Sequence, residues 1–132
     1  MTADPSLEPI KRFLAAQPDI RLGMVFGSVT HDRASTDSDL DIALLGDHAL
    51  ASERRAGLIA ALARLSGRPV DLIDLKTAGI PIARSAVLDG QVLYSRNSGD
   101  YPAQVTRLLI DSADFLPYRD RLLKERRDAW IG

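Results

Sequence analysis

The chain has 132 residues, a formal net charge of −1 and no cysteine. That length suits one domain with a real core rather than two, and the near-zero charge speaks against bulk electrostatic binding to nucleic acid or an anionic membrane. The lack of thiols excludes disulfides, thiolate metal sites and a cysteine nucleophile, and is compatible with a cytoplasmic protein; no basic region leads into an apolar run at the start and no stretch is long enough to cross a bilayer, so neither a secretory signal nor a membrane span is expected.

Residues 5–17 read as a helix. Leu7, Ile10, Phe13 and Leu14 recur at helical spacing on one stripe, Asp4 before Pro5 suits an N-cap with proline in the first turn, and Pro18-Asp19 ends the run. Residues 20–26 form an apolar strand, central in character. Arg21 is its exception and reads as an exposed charge at the strand start.

That strand runs into Val25-Phe26-Gly27-Ser28; ten residues later comes Asp39-Leu40-Asp41-Ile42. Residues 38–45 read as a second strand. Residues i and i+2 of a strand point the same way, so Asp39 and Asp41 project together, roughly 7 Å apart at Cα, while Leu40 and Ile42 face a core. Paired carboxylates repel unless a positive charge sits between them, and hard oxygen ligands suit Mg²⁺. Gly27 permits positive φ and close approach of the backbone to a ligand. The N–H groups beyond it can cup an anion, and Ser28 adds a hydroxyl donor. The natural occupant of a phosphate cradle beside a metal site is a nucleoside triphosphate. In the intervening loop, Arg33 and His31 read as solvated residues and Asp37 as a turn residue.

Gly27, Ser28, Asp39 and Asp41 match the G-S-x10-D-x-D motif of the polymerase-β-like nucleotidyltransferase superfamily. With its short length, the chain resembles the minimal nucleotidyltransferases of the MntA type, which are encoded beside HEPN-domain proteins. The resemblance implies an α/β palm: a small mixed sheet, helices packed mainly on one face, and a long C-terminal helix. It also implies a function. AMP passes from ATP to a tyrosine hydroxyl of a cognate HEPN ribonuclease toxin, so that the chain acts as an antitoxin in a hetero-oligomer with that toxin. Asp39 and Asp41 would hold two Mg²⁺ ions, and Gly27 and Ser28 the β- and γ-phosphates.

Asp47 reads as the cap of a helix running to about Ser66. Leu50, Leu58, Leu62 and Leu65 form its apolar face, Arg54-Arg55 its solvated surface, and Gly67 its C-terminal stop. Residues 70–75 are a third strand with acids inside an apolar run, and a lone carboxylate there is costly unless paired or metal-bound. In the resembled family a carboxylate from this strand completes the metal triad. Asp71 is the expected residue and Asp74 the alternative, its other role being to cap the next turn. Residues 79–88 read as a short helix with Ile82, Val87 and Leu88 inward, and Gln91-Val92-Leu93-Tyr94 as a short edge strand. Tyr94 is expected to pack at the strand end, with stacking on adenine the weaker option.

Asp100 is expected to cap a long helix from Tyr101, with Val105, Leu108, Leu109 and Leu116 toward the sheet and Pro117 interrupting it. Residues 117–132 mix basic groups with Tyr118, Leu122, Leu123 and Trp130, a composition typical of interfaces. No repeat or linker divides residues 1–132. Two other functions fit the residues: nucleotidyl transfer to a small molecule of the aminoglycoside type, and a non-catalytic antitoxin acting by occlusion. The first usually needs a second helical domain to shape the substrate site; the second leaves a costly acidic cluster without a purpose.

Overall fold

Along the central strand Leu40, Ile42 and Leu44 face one side and Ala43 and Leu45 the other, all buried. Strands apolar on both faces need cover on both. The computed structural model describes residues 7–27, 39–110 and 124. Its elements run α1 (Glu8–Ala15), β1 (Ile20–Phe26), β2 (Leu40–Gly46), α2 (Ser52–Ser66), β3 (Val70–Asp74), α3 (Ile80–Asp89), β4 (Gln91–Ser95) and α4 (Asp100–Ile110). The sheet order is β3-β2-β1-β4. The β2–β3 pair is parallel, joined by α2, and the other two pairs are antiparallel.

The mixed sheet and its helices match the expected class, with one correction. Helices do not lie mainly on one face. α1 and α2 cover one side, where Ile10, Leu14, Leu58 and Leu62 meet Ile42 and Leu72. α3 and α4 cover the other, where Ala83, Ala86, Val87 and Leu108 meet Leu22, Met24 and Leu45. Each fully buried Leu or Ile contributes about 2 kcal/mol of transfer free energy, so both layers stabilise the sheet. The apolar stretches of residues 22–26 in β1 and 42–45 in β2 carry this signal.

Several local expectations change. Asp47 does not cap α2, which starts at Ser52 after Ala51 with no side-chain cap; the Asp47 carboxylate instead accepts from Arg96 at 2.6 Å. Arg21 is not a free surface charge. Its guanidinium pairs with Asp100 at 2.7 Å and so ties β1 to the first residue of α4. Arg54 is also engaged, with Asp19 at 2.6 Å and Gln17 at 2.9 Å. Leu65 and Ile82 were expected inward, yet they are 40% and 55% exposed. α3 spends its buried stripe on Ala83, Ala86 and Val87, which turns Ile82 outward. Gly67 ends α2 in the left-handed conformation, φ 68°, as a C-cap glycine should. Asp4, Ser28, His31, Arg33, Asp37, Leu116 and residues 117–123 and 125–132 lie outside the described residues.

Candidate active site

β1 ends at Phe26, directly opposite Asp41 of β2. The chain then turns at Gly27 with φ 79°. A Cβ built there would lie 2.3 Å from Asp41 Oδ2, a separation that real Cβ atoms do not adopt. The Asp41 carboxylate thus rests against the bare backbone of Gly27, and any side chain there would push it aside. Asp39 stands exposed just before β2.

Asp71 of β3 is the register partner of Asp41. By strand alternation both side chains fall on the face covered by α3 and α4, with Ala43 and Ile73. Burial first, then the charges of Asp71 and Asp39, push the Asp41 carboxyl above its ordinary range. Three carboxylates therefore share one electrostatic environment at the end of the sheet where β1 stops and β2 and β3 begin.

Asp74 is on the other side. It is 4% exposed, has the opposite alternation, and its carboxylate accepts the backbone N–H of Leu50 at 2.8 Å and of Lys76 at 2.9 Å. These bonds tie the segment before α2 and the turn after β3 to the strand. Between the two acids of β3, the structure therefore brings Asp71 and not Asp74 toward Asp39 and Asp41. Tyr94 packs with the α1/α2 cluster, on the face opposite Asp41.

The donor chemistry fits a divalent cation: oxygen ligands only, mutually repelling, with the central one destabilised in its charged form. Among the described residues, no group of three His, Cys, Asp or Glu side chains is placed to hold a metal ion as it stands. What the sequence did not single out is an open groove of about 480 Å³ beside Asp71, bordered by Arg55, Ile73, Ala78 and Ile82. Arg55 looked like ordinary helix surface, and nothing in its neighbours on α2 marks it.

Residues 8–99 match the family model for polymerase beta nucleotidyltransferases. The chain belongs to this family. The matched span holds Gly27, Ser28, Asp39, Asp41 and Asp71, and all four strands. A relative, the protein adenylyltransferase MntA of Shewanella oneidensis, is 31% identical over 83 residues, which cover 63% of this chain and 60% of that protein. Among solved structures, a toxin–antitoxin with AMP-PNP is similar with TM-score 0.70 at 25% identity, covering 97% of this nucleotidyltransferase and 96% of the matched chain. A tri-AMPylated Shewanella oneidensis HEPN toxin in complex with an MNT antitoxin matches with TM-score 0.66 at 24% identity over 96% and 92% of the two chains, a likeness of fold.

Proposed function

We propose that this nucleotidyltransferase transfers AMP from ATP to a tyrosine hydroxyl of a HEPN-domain toxin encoded beside it, and so acts as an antitoxin in the cytoplasm. The pairing of Asp41 with Asp71 in register beside Gly27 carries this reading. The adenylyltransferase relative and the fold shared with an antitoxin complexed to an AMPylated HEPN toxin support the acceptor class.

Asp39, Asp41 and Asp71 would hold Mg²⁺, which when bound supplies charge neutralisation for the triphosphate. Gly27 and Ser28 receive the β- and γ-phosphates on backbone N–H and hydroxyl, with no side chain at Gly27 to bar the approach. Asp71 accepts the proton of the acceptor hydroxyl. The oxygen forms a bond to the α-phosphorus of ATP, the bond to the β-phosphate oxygen breaks, and pyrophosphate leaves. The protein's part is chiefly to position the reactants and to hold preorganised charge against them.

Incubation with ATP labelled at the α-phosphate, Mg²⁺ and the adjacent-gene HEPN protein should label that protein. An unlabelled partner, under conditions where the two chains bind, would falsify the proposal.

A further inference from the structure

β3 has a strand neighbour on one side only among the described residues. Its backbone alternates in direction. Pro69 O accepts from Leu40 N–H and Leu75 N–H donates to Leu44 O, both toward β2. The N–H and C=O groups of Leu72 and Asp74 therefore turn outward. The outward carbonyl of Leu72 takes a guanidinium N–H of Arg55, reaching over the edge from α2. That of Asp74 accepts Ala78 N–H at 2.8 Å. A free strand edge is a template for another chain, and here its one mid-strand carbonyl is held by a single movable side chain.

This edge is also the wall of the open groove beside Asp71. Ile82, 55% exposed, lines the same groove as Asp71 and adds an apolar side chain to it. The groove joins three things an acceptor segment needs: a backbone edge to pair with, an apolar seat, and a carboxylate at its end.

Resting on the function proposed above, we propose that the groove seats the acceptor segment of the protein substrate as an extended strand along the outer edge of β3, with an apolar side chain on Ile82 and the hydroxyl at Asp71. A backbone N–H of the incoming segment replaces Arg55 at the Leu72 carbonyl, and the released guanidinium meets an acidic side chain of the segment. Main-chain pairing provides affinity, and the alternate side chains provide selectivity.

The test uses the full chain and the adjacent-gene HEPN protein. Ile82→Ser, at an exposed position, should raise KM for the HEPN protein about tenfold while kcat and the affinity for a fluorescent ATP analogue stay at wild-type values; Ile82→Val should restore KM. Amide hydrogen exchange at Leu72 and Asp74 should slow when the partner is added. The inference is overturned if the wild type labels its partner yet Ile82→Ser keeps the wild-type KM, or if exchange along β3 does not change. A wild type that labels nothing overturns the functional reading itself, and this seat with it.

Discussion

Asp41 and Asp71 face each other across the parallel pair β2–β3, one residue directly opposite the other. Like charges so placed destabilise a sheet, and burial first, then the Asp71 charge, raises the Asp41 carboxyl. The sign follows from linkage. A carboxyl whose folded pKa lies above its unfolded value of 3.8 penalises the native state at pH above the folded pKa, and the penalty fades as pH falls to 3.8 and below. Asp41→Asn is therefore expected to raise Tm in metal-free buffer at pH 7, with the gain shrinking on acidification. Mg²⁺ should raise the Tm of the wild type and leave that of Asp41→Asn nearly unchanged. Transfer should fall by about 100-fold or more, measured as label on the partner.

Asp71 and Asp74 separate function from structure within one strand. Asp74→Ala removes the acceptor of two backbone N–H groups at a buried position. It should cost about 2–4 kcal/mol, read by urea unfolding, with activity lost in step with the folded fraction. Asp71→Asn, at an exposed position, should leave the unfolding free energy from urea titration within about 0.5 kcal/mol of the wild type and still reduce transfer about 100-fold.

Gly27→Ala places a methyl group in a left-handed backbone conformation and against Asp41 Oδ2. The backbone strain is about 1–2 kcal/mol, which a domain of this size survives. Relief of the clash requires the Asp41 carboxylate to move, so transfer should drop far more than stability does. Circular dichroism melting beside the labelling assay checks this; equal losses in both would contradict it.

Arg21 and Asp100 join β1 to α4 through a guanidinium at 2.7 Å from a carboxylate that is 9% exposed. Arg21→Ala leaves that acid nearly buried without its partner, a loss of about 2 kcal/mol. Asp19 with Arg54, and Asp47 with Arg96, are far more open pairs. Hydrogen bonds from those arginines lower both carboxyls, yet alanine at Arg54 or Arg96 should shift Tm little, because water and salt screen them. Thermal melts of the three variants at low and at 1 M salt distinguish the pair with the buried carboxylate from the open two.

The strands, the helices and the meeting of Gly27 with Asp41 were legible because apolar periodicity and a glycine turn are local signals. Ile82 faces outward, against the apolar pattern, for a physical reason. A short helix with six apolar residues has more than one plausible inward stripe, and the small residues Ala83 and Ala86 are the ones that fit closely against the sheet. Arg21 and Asp100 stand 79 positions apart in sequence; no local pattern couples charges so far apart.

The sequence by itself determined that acids and a glycine turn stand at consecutive strand ends, since strand alternation and the positive φ open to glycine act over a few residues. Only the tertiary structure decided that Asp71 rather than Asp74 stands opposite Asp41, and that β3 has an open edge among the described residues. Both depend on how β3 registers against β2 and on which strand lies outermost, and those are settled by long-range pairing and by helices packing on both faces of the sheet.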